Sequence, residues 1–168
     1  MAPTLDFFLS IASTYTYLAV NRAQEVAARE GVTLRWRPFN VRSIMREQNN
    51  TPFLGKPVKM QYMWRDLERR ARKHGIPFKS PAPYPIDPDL LANRVASLAA
   101  MEGWCPEYAK ITYRDWFLEG KVAGLVENVR SVLGELGIFG SPTFACGAEI
   151  FWGDDRLEDA IDWVKQGA

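Results

Sequence analysis

The sequence predicts an α/β fold in which a β-α-β opening and a β-β-α close flank an all-helical middle. Three observations carry this. Short apolar runs rich in β-branched and aromatic residues stand near both ends of the chain, apolar residues recur at helical spacing elsewhere, and prolines between Pro81 and Pro88 interrupt the helical middle.

Thr4 to Leu9 reads as the first strand, and Val32, Leu34 and Trp36 alternate with polar neighbours as the second. Between them Tyr15, Leu18, Ala19, Ala23, Val26 and Ala27 predict a single helix stopped near Gly31. After a polar loop with Asn49, Asn50 and Pro52, the spacing of Met60, Met63, Trp64, Leu67 and Ala71 predicts a helix ended by Gly75 and Pro77. Pro81, Pro83, Pro85 and Pro88 make the next stretch stiff and non-helical, a linker or pocket wall. Three helical faces follow: Leu91, Val95, Leu98 and Ala99; Ala109, Thr112, Tyr113, Trp116 and Phe117; and Leu125, Val129, Val132, Leu133 and Leu136. Thr143 to Cys146 and Glu149 to Trp152 predict a hairpin around Gly147-Ala148, and Leu157, Ala160, Ile161 and Val164 a last amphipathic helix. The order matches the thioredoxin architecture, a sheet covered by helices on both faces.

The chain has 168 residues, of which 47% are hydrophobic, enough for one sizeable core. A single domain over 1–168 is expected, with a helical insertion spanning about 56–137. Lys and Arg number 21 against 20 Asp and Glu, so net charge offers no reason to seek nucleic acid or an anionic membrane, and a small ligand is expected. The first residues lack a basic stretch ahead of an apolar one, and no apolar run reaches spanning length, which predicts a soluble cytoplasmic protein. Cys105 and Cys146 are too distant for a CxxC pair and read as idle thiols in a reducing compartment.

Three segments carry candidate chemistry. Ser13-Thr14-Tyr15-Thr16-Tyr17 lies between the first strand and first helix, where free backbone N–H groups favour an anion; on position alone Ser13 reads as a helix cap. Gly140-Ser141-Pro142-Thr143 stands directly before a strand, and a cis Ser141-Pro142 bond is expected there, facing Ser13 as the architecture requires. In Trp152-Gly153-Asp154-Asp155-Arg156 one aspartate suffices to cap the last helix, which leaves the other as a solvated carboxylate or a receiver for a ligand ammonium. His74 is the only histidine, so a histidine metal cluster or a Ser-His-Asp triad lacks material. Arg65 to Lys73 form a basic run, but Asp66 precedes Arg70 and Glu68 precedes Arg72 by one helical turn, so a solvated, ion-paired helix face is expected.

Ser13-Thr14-Tyr15-Thr16-Tyr17-Leu18 is similar to the Ser-Pro-Tyr-Ser-Tyr-Leu pattern of the 2-hydroxychromene-2-carboxylate isomerase and kappa-class glutathione transferase family. Phe139 to Phe144 resembles its Phe-Gly-Val-Pro-Thr segment, and Trp152 to Leu157 its Trp-Gly-Asn-Asp-Arg-Leu. Asn49-Asn50-Thr51-Pro52, Lys59, Tyr62 and Asp66-Leu67 follow its Asn-x-x-Pro, Lys, Tyr and Asp-Leu order. Thr14 in place of the family's proline and Ser10 in place of the isomerases' aspartate are departures.

The resemblance implies a DsbA-like member in which Ser13 stands where relatives carry the attacking cysteine and holds the sulfur of bound glutathione as catalytic residue. It implies further that Ser141 and Pro142 meet the cysteinyl unit, that Asp154 and Asp155 meet the γ-glutamyl end, and that Asn49 and Lys59 complete the glutathione site. Tyr15 and Tyr84 would border an apolar substrate pocket. The implied activity is glutathione-dependent isomerisation of an unsaturated aromatic-derived acid through a transient thiolate adduct. A kappa-class-like transferase or peroxidase, or a non-catalytic glutathione-binding module, is the alternative. A homodimer is implied, as is a chain break at or near Gly137-Ile138, where family members usually carry further helical residues.

Overall fold

The computed structural model describes residues 2–51, 53, 55–122, 125, 142–146 and 149–166. The chain divides into two compact units, Met1–Val126 and Glu127–Ala168. In the first, β1 (Thr4–Leu9) and β2 (Thr33–Pro38) pair in parallel, with Thr4 opposite Thr33 and Leu9 opposite Pro38. Asp6 stands opposite Arg35 and accepts from Arg35 Nη2 at 2.8 Å and Arg37 Nε at 3.1 Å.

Parallel strands need a crossover, and here it is made by two short helices rather than the one expected. These are α1 (Thr16–Val20) and α2 (Ala23–Arg29). The interruption falls at Asn21, whose side-chain amide donates to the Tyr17 carbonyl at 2.7 Å. The Asn21 backbone amide shares that acceptor at 3.3 Å, and the next amide, of Arg22, turns back to Ala19 at 3.1 Å instead of continuing the helix. Gly31 ends the crossover at φ +67°, the left-handed region that glycine enters without a side-chain clash.

A helix not anticipated in the polar loop, α3 (Val41–Glu47), begins at Asn40, whose carboxamide oxygen accepts from the amides of Arg42 and Ser43 at 3.1 and 3.3 Å. The cap was legible as asparagine ahead of Val41, Ile44 and Met45. The long helix α4 (Pro57–His74) buries Met63, Leu67 and Ala71 as its spacing predicts, and Gly75 stops it at φ +66°. The proline-rich strap that follows is non-helical, with cis Ser80-Pro81 and Tyr84-Pro85 bonds.

α5 (Leu91–Glu102) is turned relative to expectation. Ala92, Asn93, Ala96 and Ala99 are its buried face, while Leu91 and Leu98 are about half exposed. Small side chains let this face approach α6 (Cys105–Phe117), in which Tyr108, Tyr113, Trp116 and Phe117 are all fully buried. The Tyr108 hydroxyl reaches the Ala92 carbonyl at 3.3 Å across that contact, as close packing of an interior demands.

In the second unit β3 (Thr143–Cys146) and β4 (Glu149–Trp152) pair antiparallel, with Thr143 opposite Trp152, in the predicted spans. A 3-10 turn, Asp154–Arg156, precedes α7 (Leu157–Lys165). The turn displaces the helix start, so the N-cap is Arg156, with no side-chain cap, rather than the expected aspartate. Of the predicted apolar face Ala160 is buried, while Leu157, Ile161 and Val164 border a cavity of about 430 Å³ beside Phe144 and Cys146. The helix expected over Leu125 to Leu136, apart from buried Leu125, lies outside the described residues. So do the Gly147-Ala148 turn, the Ser141 side of the expected cis bond and the Gly137-Ile138 junction. No helix among the described residues is long and apolar enough to cross a membrane.

The Arg35 and Arg37 guanidiniums hold the Asp6 carboxyl well below its ordinary value of 3.8. A carboxyl depressed in the folded state stabilises above its unfolded value and loses that contribution as pH falls through the folded one. Asp6→Asn should therefore lower the urea midpoint at pH 7, and the difference from wild type should shrink as the pH is lowered below about 4.

Candidate functional site

The turn between β1 and α1 is fixed by hydrogen bonds from distant residues. Tyr113, fully buried in α6, directs its hydroxyl to the carbonyls of Ser10 at 2.9 Å and Ser13 at 3.1 Å. Burial holds its phenol above the ordinary value, so it remains a neutral donor, and the Thr16 hydroxyl also hydrogen-bonds it. Buried Asn93 accepts from the Ile11 amide at 2.9 Å and donates to the Phe39 carbonyl at 3.1 Å, joining the ends of both strands. Ala12 lies between these anchors at φ +79°.

This framework fixes what Ser13 can do. α1 begins at Thr16 with Tyr15 as its N-cap and no side-chain cap, so the reading of Ser13 as a helix cap fails. Its carbonyl is taken by Tyr113 and the Thr16 amide, at 3.1 and 3.2 Å, and its side chain is partly exposed. The neighbours face α4. Buried Thr14 donates to the Met63 sulfur at 3.1 Å, a bond the proline of the family pattern could not make, and the Tyr15 hydroxyl donates to Asp66 at 3.0 Å. Partial burial and the Asp66 bond push the Tyr15 phenol up to about 12.

The remaining predicted residues fall into separate groups. Lys59 stands on α4 with its ammonium 5.6 Å from the Phe53 ring, and Phe53 meets Tyr84 edge-on at 6.0 Å. Tyr84 also meets Trp64 at 6.2 Å, and burial raises its phenol. Lys59 and Tyr84 are thus brought together through one ring. Asn49, in the left-handed region at φ +50°, closes the end of α3 through its amide to Arg46 at 3.1 Å. Among the described residues no hydrogen bond or ring contact joins Asn49 or Lys59 to Ser13.

In the second unit the Pro142 carbonyl accepts from the Gly153 amide at 3.0 Å, which brings the residue before β3 to the turn after β4. Gly153 has φ +115°, a backbone conformation that side-chain-bearing residues rarely adopt, so glycine suits the position. The exposed Asp155 carboxylate lies 3.5 Å from Arg156, with which a ligand ammonium would compete. Ser141 and the Asp154 side chain lie outside the described residues.

Sequence reasoning missed the positioning groups. Asn93 was detectable as a lone amide in an alanine-rich helix, whereas Tyr113 looks like any core aromatic. Arg42 had no sequence signal: its guanidinium donates to the carbonyls of Ile86, Asp87 and Pro88, clasping the strap behind Tyr84. Cys105 is the inert thiol expected, since burial pushes it up to about 12, and both cysteines are free.

A parallel β1–β2 pair, a crossover opening at a polar turn and a β3–β4 hairpin define a thioredoxin-fold protein of the DsbA-like kind, with serine at the turn. The chain belongs to the DSBA-like thioredoxin domain family, whose model matches residues 4–138. It is similar to the 2-hydroxychromene-2-carboxylate isomerase of Sphingobium xenophagum, 26% identical over 190 positions that cover 94% of this chain and 96% of the relative. The isomerase of the same name from Pseudomonas putida is 25% identical over 91% of this chain and 90% of its own. Glutathione S-transferase kappa 1 of Caenorhabditis elegans is 34% identical over 80 residues, 47% of this chain and 35% of the relative. A solved structure of a 2-hydroxychromene-2-carboxylate isomerase shares the fold, with a TM-score of 0.59 and 22% identity over 97% of this chain and 95% of that one. The 190 aligned positions outnumber the 168 residues here, so the Sphingobium isomerase carries residues without a counterpart in this chain.

Two outcomes are expected. Tyr113→Phe keeps the ring but removes the side-chain donor that the turn carbonyls of Ser10 and Ser13 share, leaving each its backbone donor, and should cost about 0.5–1.5 kcal/mol in urea unfolding. A thiol-specific disulfide reagent should label partly exposed Cys146 in the native protein and reach Cys105 only on unfolding, as mass spectrometry of the labelled peptides would record.

Proposed function

We propose that this protein is a glutathione-dependent isomerase of the 2-hydroxychromene-2-carboxylate isomerase type, acting on an unsaturated aromatic-derived acid. The observation that carries the reading is Ser13 itself: a partly exposed hydroxyl that caps no helix, on a turn whose carbonyls are already engaged. Relatives spanning more than nine-tenths of the chain bear that isomerase's name.

The residues fit a thiol-bearing tripeptide by the chemistry of the donor set. A neutral hydroxyl donates to a thiolate without forming a disulfide, and no cysteine stands nearby in sequence to do so. Bound glutathione would supply a thiolate that adds reversibly to the conjugated system, permits rotation about the former double bond and leaves unchanged. Ser13 would hold that sulfur as the anion. Ser141 and Pro142 would meet the cysteinyl unit by backbone pairing, Asp154 and Asp155 would receive the α-ammonium of the γ-glutamyl end, and Asn49 and Lys59 would complete the contacts. Tyr15 and Tyr84 would border the acid. The proposal includes a cytoplasmic homodimer.

A second reading, a kappa-class-like transferase, is favoured by the 34% identity over 80 residues to the kappa enzyme. A product of unchanged mass with no loss of glutathione marks the isomerase, and a conjugate marks the transferase. Ser13→Ala should keep the fold and raise the pKa of the bound thiol by the loss of a charge-assisted hydrogen bond, about 1.5–3 kcal/mol. Ultraviolet titration of the thiolate reads this, and an unchanged value in the variant overturns the assignment of Ser13.

A further inference from the structure

The basic face of α4 pairs only in part as its helical spacing predicts: Glu68 meets Arg72, but Asp66 does not pair with Arg70. Glu68 accepts from Arg65 and, at 3.4 Å, from Arg72, so one carboxylate answers two guanidiniums. Asp66, one turn before Arg70, is engaged instead by the Tyr15 hydroxyl at 3.0 Å. Among the described residues Arg70 has no carboxylate partner, and its guanidinium carbon lies 5.7 Å from the centre of the Tyr15 ring.

A guanidinium held over an aromatic face gains from the ring's negative quadrupole and keeps its planar fork of N–H donors for a second partner. That fork matches a carboxylate, which it binds with two charge-assisted hydrogen bonds. Arg22 and Lys73 are further cations toward the end of α4, where desolvation first, and then Arg22, Lys73 and Arg70, hold His74 below its ordinary value. The cation is also delivered to a defined place, since Tyr15 is two residues beyond Ser13 and is tied to α4 by the same Asp66 bond.

We propose that Arg70 is the carboxylate-receiving, specificity-determining residue beside Ser13, with Tyr15 and Asp66 positioning it. The assignment rests on the proposed reading of Ser13 as the residue that holds the reacting sulfur. It deepens that reading by explaining how the site selects an acid over its neutral counterpart. The carboxylate belongs either to the substrate or to glutathione, and the two sources are separable.

The test is equilibrium calorimetry on the full chain with benzoate, benzamide, glutathione and glutathione monoethyl ester, comparing wild type with Arg70→Gln and Arg70→Lys. Wild type should prefer the free acid of one pair by about ten-fold, the worth of a good charged contact. Arg70→Gln should abolish that preference while the neutral member binds as before, and Arg70→Lys should retain part of it. Loss in the benzoate pair assigns the contact to the substrate carboxylate, and loss in the glutathione pair to the peptide's glycyl end. If Arg70→Gln leaves every affinity unchanged, or weakens charged and neutral members alike, the proposal is overturned. A wild-type protein that binds no glutathione defeats the proposed function instead, and the benzoate pair still decides Arg70.

Discussion

The hydroxyl of Tyr113 donates into the turn between β1 and α1, and the position of Ser13 follows from that bond. Ser10 and Ser13 turn their carbonyls toward the interior, where an unpaired acceptor is costly. Each accepts from a backbone amide within the turn, and one phenol from a helix a hundred residues further along the chain reaches both, tying the turn to α6. The phenol is itself held by stacked rings: Tyr113 lies against Trp116, and Phe117 stacks on Tyr17 with centroids 4.2 Å apart. Apolar packing of α6 thus supplies the stability, and a single polar atom on it supplies the geometry.

The other buried polar groups divide the labour in the same way. Asn93 ties the end of β1 to the end of β2, and Asp87 fixes α5 by accepting from the amides of Ala92 and Asn93 at 3.1 Å each. Arg42 then clasps the carbonyls on either side of Asp87. These bonds connect α3, the proline-rich strap, α5 and both strand ends into one hydrogen-bonded path. Hydrophobic burial is indifferent to small shifts, whereas such bonds fail over fractions of an ångström, which suits them to holding a turn in register.

The departures from the family pattern become intelligible in this setting. Thr14 replaces a proline with a hydroxyl that reaches the Met63 sulfur, so contact with α4 is gained where a rigid ring would otherwise set the backbone. Ser10 is buried, and its carbonyl accepts from both the Ser13 amide and Tyr113, so its backbone organises the turn. Tyr15 ties the same turn to α4 through Asp66. A sequence of small hydroxyl residues that reads locally as a helix cap acts instead as a set of attachments to distant helices.

What the sequence determined by itself are the features that depend on near neighbours. The bounds of β1, β3 and β4, the buried face of α4, the left-handed glycine that stops it and the non-helical strap all follow from periodicity and backbone permissiveness. The order of motifs sufficed to indicate the family. Tertiary structure decided the rest. It split the first helix at Asn21, whose side-chain amide shares the Tyr17 carbonyl with its own backbone amide, and it turned α5 so that alanines are buried where Tyr108 of α6 reaches Ala92. It also paired Asp66 with Tyr15 rather than with Arg70, because a partner one helical turn away in sequence competes with one that only folding brings near.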